Sequence, residues 1–178
     1  HPQPLTPAIE ARWRLSTLAQ ASGQSAREVA LAKDIVLADA AGGSERTART
    51  RSVAALSALK LAQPVLEAYQ KVALVEPLQR QLKAKKAKME DVLKAYAAVS
   101  EYAVPEAITA ATFHTAALYQ DFGKAVMESQ RPKKLSKVEL EQYNVLLEEQ
   151  AFPFEEKAIE LHETNARRTA DGLYDTWV

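Results

Sequence analysis

The chain has 178 residues, 47% hydrophobic and 26% charged, with 5 Gly, no Cys and a formal net charge of zero. This is globular composition, enough for one compact domain or a short run of helical repeats; it excludes disulfides, thiolate metal sites and a cysteine nucleophile, and no segment reaches the ~18–20 uncharged apolar residues of a membrane span. The zero balance is uneven along the chain: residues 1–89 carry 14 Lys/Arg against 7 Asp/Glu, and residues 90–178 carry 9 against 16, a polarity that either steers a charged partner and favours head-to-tail contacts or reflects compositional drift in solvated helices.

The opening HPQPLTP has neither the basic n-region nor the apolar h-region of a signal peptide, and both ends read as those of an excised or processed chain. Thr6-Pro7 supplies an N-cap followed by Pro at the first helical position, and Gly23 ends that helix after about Ser22. Ser25-Ala-Arg-Glu28 has the form of a capping box opening a second helix, closed by Gly42-Gly43. A third helix is expected from near Ser44. In it Ala55, Leu59, Ala62, Leu66, Tyr69 and Ala73 form one apolar stripe at helical spacing, with a kink or break expected at Pro64. Pro77 opens a helix to about Ala103, and Pro105 opens another to about Gln130. Arg131 to Leu135 is a loop, Ser136-Lys-Val-Glu139 is a second capping box, and the last helical stretch runs to Asp171-Gly172, broken or bent at Pro153. No segment alternates as a strand does, so the chain reads as all-α.

Val65-Leu-Glu-Ala-Tyr-Gln-Lys-Val72 and Val92-Leu-Lys-Ala-Tyr-Ala-Ala-Val99 share Val, Leu, Ala, Tyr and Val at matching positions. Each copy is followed by a proline that opens the next helix, which points to a repeated helix-turn-helix unit. In the helix from Pro105, one stripe holds Ile108, Ala111, Thr115, Leu118, Phe122 and Ala125, while Phe113 and Ala117 fall nearly opposite. A helix apolar on two sides is sandwiched between layers. Gly123, within the stripe, lets a neighbouring helix approach.

Residues of roughly 89–178 resemble the C-terminal helical repeats of tetratricopeptide-repeat (TPR) envelope proteins, in particular the TPR lipoproteins associated with gliding-motility and Tol/Exb-type gene clusters in Gram-negative bacteria. The likeness is carried by Tyr119-Gln-Asp-Phe-Gly-Lys-Ala-Val126, the Arg131-Pro132 loop, Tyr143 with Leu146 and Leu147, and Phe152-Pro-Phe-Glu-Glu-Lys-Ala158. The resemblance implies one helical-repeat domain over 1–178, with N-terminal helices over 1–76 and TPR-like pairs over 77–178. Its architecture would be antiparallel helix pairs in a right-handed solenoid, with helices longer than the usual unit and the Trp-Leu-Gly-Tyr signature absent; the alternative is a helical bundle. It implies a non-catalytic scaffold that binds other envelope proteins, periplasmic and held at the outer membrane through a region outside this sequence. The alternative function is a self-associating structural bundle or coiled coil, a homo-oligomer.

No residue pattern argues for chemistry. His162-Glu163-Thr164-Asn165-Ala166 lacks the second histidine of the zinc-protease motif HExxH. Ile159 and Ala111 stand where a Glu-x-x-His metal pair needs carboxylates, so His162 and His114 are expected to be structural, and no metal, cofactor or enzyme activity is expected. Glu163 and Arg167 have ion-pair spacing, and Glu155 and Glu156 after Pro153 suit a helix start. The basic run Arg80, Lys83, Lys85, Lys86, Lys88 has no interleaved aromatics and reads as a solvated face rather than a nucleic-acid site. Tyr102 and Phe113 leave the main stripes and are the candidate protein-binding residues.

Overall fold

The computed structural model describes residues 4–178; the first three residues of the opening HPQPLTP, His1 included, lie outside the described residues. The described chain is all-helical, with six α-helices, two short 3-10 turns and no strand: α1 Leu5–Ala21, α2 Ser25–Ala41, α3 Ala48–Gln70, α4 Leu78–Ser100, α5 Pro105–Met127 and α6 Lys137–Arg167. Its contacts group into two compact units, one formed by the residues up to Pro64 with Lys94–Ala111, the other by Val65–Leu93 with Thr112–Val178. Helices α3, α4 and α5 each contribute a stretch to both.

In the first unit α1 and α2 form a helical hairpin. The turn works because Gly23 takes φ +69°, a conformation that costs a residue with a Cβ; Gln24 N–H then reaches Ala19 O at 2.8 Å and Gly23 N–H reaches Gln20 O at 3.1 Å, closing α1 as a Schellman cap does. The core is Ile9, Ile35, Val53 and Ala54, with Leu5, Trp13, Ala38 and Tyr102 packed against it. Lys60 fastens three helices at once: its Nζ is 2.8 Å from Glu28 Oε1 on α2, 3.0 Å from Gln20 Oε1 on α1, and 5.2 Å from the centroid of the Trp13 ring.

Several local signals act differently from their sequence reading. Helix α1 starts at Leu5, ahead of Thr6-Pro7, and its first N–H is taken by Glu45 Oε2 at 3.1 Å, a partner 40 residues away that no local pattern reveals. Ser25 and Glu28 form no capping box: Gln24 is the N-cap, without a side-chain bond, and Glu28 pairs with Lys60 instead. Helix α3 starts at Ala48, after a 3-10 turn over Gly43–Glu45, with Thr47 and Thr50 capping each other. Its stripe is buried or half-buried from Ala55 to Tyr69, while Ala73 lies exposed beyond the helix end. Pro64 and Pro153 do not break their helices. Both prolines are exposed, so each ring sits on the outer side of its helix and the packed side holds the helix together.

In the second unit the end of α3 is clamped by a polar network. Tyr69 is fully buried and its hydroxyl donates to Asp121 Oδ2 at 2.8 Å. Burial, then the bond to Asp121, pushes the phenol pKa far up, so Tyr69 stays a neutral donor. Lys85, also buried, donates to Val72 O at 3.1 Å and lies 4.0 Å from the centroid of the Tyr69 ring. Burial holds its pKa below the ordinary lysine value, partly offset by Asp121. One of the five cations in the basic run is therefore an internal support rather than part of a solvated face.

Two well-made caps bracket the α5–α6 connection. Arg131 donates to Met127 O at 2.7 Å and to Ser129 O, closing the end of α5, and its Nε reaches Asn144 Oδ1 on α6 at 2.8 Å. Ser136 and Glu139 form the expected capping box. Beyond it, α6 buries Leu147, Ala151, Ala158 and Asn165, with Phe154 half-buried and 4.5 Å from Phe122, centroid to centroid. The close approach is at Gly123: a Cβ built there would lie 3.4 Å from Glu155 Cγ, 3.5 Å from Ala151 O and 3.6 Å from Phe154 Cβ. These are ordinary contacts, so one methyl fits and nothing larger does. Gly123→Ala should therefore hold or raise stability, by up to about 1 kcal/mol from helix propensity, whereas Gly123→Leu should lower it by at least about 1–3 kcal/mol through overpacking, both read by denaturant titration.

Candidate protein-binding surface

Tyr102 and Phe113, the two residues singled out for partner binding, belong to different units and have separate surroundings. Tyr102 is half-buried against the Ile9–Ile35–Val53 core. Its pKa is raised, first by burial and then by the charge of Asp39, which is itself buried and bonded to Arg46 at 2.7 Å. Phe113 is half-buried at the centre of an aromatic group: His114 and Trp177 lie 5.6 Å from it and His162 lies 5.5 Å from it, the two histidines edge-on. His114 and Trp177 are themselves 4.9 Å apart. Asn165 Nδ2 donates to Trp177 O at 2.8 Å, and Arg168 Nη1 donates to Thr112 Oγ1 at 3.0 Å. The group fastens the C-terminal segment onto α5. Both residues thus have internal packing partners, and part of each side chain remains exposed.

His162 holds a place in this aromatic group, and among the described residues no three His, Asp or Glu side chains are placed to share a metal ion. Glu163 and Arg167 are 4.0 Å apart and exposed, a pair that contributes little. Glu155 and Glu156 do not begin a helix, because α6 runs unbroken through Pro153; they sit mid-helix and exposed, too far from the N-terminus to feel its dipole. No helix of the described chain is long and apolar enough to cross a membrane.

What the structure exposes is the far side of α6. Val138, Val145, Phe152 and Ile159 are 62%, 54%, 55% and 58% exposed, each seven residues from the next. At about 100° per residue they form one ridge roughly 140° around the helix from the centre of its buried face. The signal was present in the sequence as a second seven-residue apolar repeat. Dividing the helix at Pro153 hid it, since Val138 and Val145 then fall on one piece and Ile159 on another. No protein-family model, curated protein or solved structure matches the chain.

Two measurements separate packing from contact in this region. Tyr102→Ala and Phe113→Ala should each cost about 1–3 kcal/mol, below the fully buried case because both rings are half-exposed, and so lower the melting temperature by several degrees; an unchanged melting temperature with lost partner binding would instead mark a contact residue. His114 gives a pH signature. Burial lowers its pKa from the ordinary 6.5, so the unfolded chain binds the proton first as pH drops. Stability should then fall as pH goes below the ordinary histidine value and level off once the folded value is passed. Calorimetry between about pH 7.5 and about pH 5 should show this slope in the parent chain and a shallower one in His114→Phe.

Proposed function

We propose that the chain is a TPR-like helical-repeat module acting as a non-catalytic scaffold for other proteins in a Gram-negative envelope assembly, on the periplasmic side and associated with the outer membrane. The observation that carries this reading is the outward ridge of α6. Four large apolar residues in register on an otherwise acidic helix are more than scattered exposure requires, and such patches on a soluble surface serve association. A helix with apolar stripes on both sides is what a stacked helical repeat uses to build successive layers, and the repeated Val-Leu-x-Ala-Tyr-x-x-Val segments agree with that organisation. The envelope setting rests on the resemblance of residues 89–178.

Symmetric self-association through α6 is the weaker reading, because it would bring the carboxylates beside the ridge against their own copies. Chemical crosslinking in cells followed by recovery from envelope fractions tests the proposal. Envelope proteins should be captured by the full chain. Recovery of cytosolic partners alone would remove the envelope assignment, and the absence of any crosslinked partner would remove the scaffold.

A further inference from the structure

The ridge of α6 has a charge pattern as regular as its apolar one. Glu141 and Gln142 lie between Val138 and Val145; Glu148 and Glu149 lie between Val145 and Phe152; Glu155 and Glu156 lie between Phe152 and Ile159; Glu163 follows. All seven are exposed; Glu141, Glu148, Glu149, Glu156 and Glu163 lie within about 50° of the ridge, while Gln142 and Glu155 stand at its two edges, Glu155 with its Cγ 3.4 Å from where a Cβ on Gly123 of α5 would lie. Glu141, Glu148, Glu149, Glu155 and Glu156 form no ion pair among the described residues. Of the cations of α6, Lys157 pairs with Glu160 at 2.7 Å, Arg167 faces Glu163, and Lys137 is exposed at the helix start, just before Val138. Along about 32 Å of helix axis, the face repeats one apolar side chain and then one polar pair dominated by carboxylates, once per heptad.

We infer that this face seats a basic amphipathic helix of a partner protein, one that carries an apolar residue every seven positions with Lys or Arg in between; the inference rests on the scaffold reading above. The pattern disfavours the other occupants. A nucleic acid or an anionic lipid surface would meet a row of carboxylates. A second copy of α6 would place like charges opposite each other at every heptad, where a helix pair needs complementary ones. The chain's own basic stretch on α4 has no large exposed apolar residue to meet Val145, Phe152 and Ile159, and the exposed leucines of α1, Leu15 and Leu18, are one turn apart rather than seven residues. A cationic amphipathic helix satisfies both halves of the pattern, its apolar residues covering the ridge and its ammonium or guanidinium groups reaching the carboxylate pairs.

The test uses two synthetic helical peptides of about four heptads, with identical leucines at heptad spacing and either Lys or Glu between them, titrated into the full chain by fluorescence anisotropy. The Lys peptide should bind at least about tenfold more tightly than the Glu peptide, and its affinity should fall between about 0.05 and about 0.5 M salt. Val145→Ser with Phe152→Ser should weaken it about tenfold while leaving the melting temperature unchanged, because both side chains are exposed. Reversing Glu148, Glu149, Glu155 and Glu156 to Lys should switch preference to the Glu peptide. Equal affinity for the two peptides, or none for either, overturns the inference. So does a dimer seen by sedimentation that Phe152→Ser dissociates, which would assign the ridge to a second copy. In cells, a photo-crosslinker at position 152 should capture a protein through a segment with the basic heptad pattern. Capture only from a crosslinker at Leu37 on α2 would overturn the ridge and leave the scaffold standing; capture from neither would overturn both.

Discussion

The close approach of α5 and α6 at Gly123 fixes the direction in which everything on α6 points. At Gly123 there is room for no more than a methyl between α5 and the Glu155 Cγ, Ala151 carbonyl and Phe154 Cβ of α6, and Phe154 settles on Phe122. That contact sets the rotation of α6 about its own axis. Once Leu147, Ala151, Phe154 and Ala158 are turned inward, a helix of 3.6 residues per turn has no freedom left: Val138, Val145, Phe152 and Ile159 must turn outward. The exposed ridge is therefore a geometric consequence of how the buried face packs, not an accident of side-chain placement.

Contacts at both ends keep that rotation rigid over a helix of 31 residues. At the start, Arg131 holds the last carbonyls of α5 and Asn144 of α6 together, so the loop between the helices cannot swing without losing charge-assisted hydrogen bonds. At the far end, the Phe113–His114–Trp177 aromatic group and the Arg168–Thr112 bond fasten the final turn and the C-terminal segment to α5. A long helix packed on one side and tethered at both ends presents its outer face pre-formed, which lowers the ordering cost of seating a partner along it.

Much of the fold was legible because the signals were local. The all-α class followed from periodicity, the Ser136–Glu139 capping box from four adjacent residues, and Gly23 from its place after a periodic segment. Gly123 was readable as a point of close approach, though not the residues it would meet. The failures share a cause. The cap of α1 comes from Glu45 and the partner of Glu28 is Lys60, and no local rule reaches so far along the chain. A kink or break is expected at Pro64 and a break or bend at Pro153 because an interior proline costs about 3 kcal/mol in an isolated helix; neither helix breaks, because packing on the opposite side outweighs that cost here. The second error propagated, since a helix divided at Pro153 gives Glu155 and Glu156 a false terminal role and conceals a heptad repeat that crosses it. Tyr102 and Phe113 leave the stripes of their own helices, and what they pack against is not visible locally, because Trp177 and the α1–α2–α3 core reach them from other parts of the chain.

The outer face of α6 also answers a problem of its own making. Four large apolar side chains in a row on a helix invite indiscriminate association, and a face with that stripe alone would pair with any similar stripe, its own copy included. Interleaving carboxylates at every heptad changes the selection. Each additional Glu raises the electrostatic cost of an α6–α6 pair and of an acidic partner, while adding attraction for a cationic one, and at an exposed site each effect is modest and reduced by salt. Their regular spacing makes the small effects act in register, so discrimination grows with the number of heptads engaged rather than with any single pair. For the helical partner proposed above, apolar contact would supply affinity that is indifferent to charge, and the carboxylate pattern would select the cationic partner.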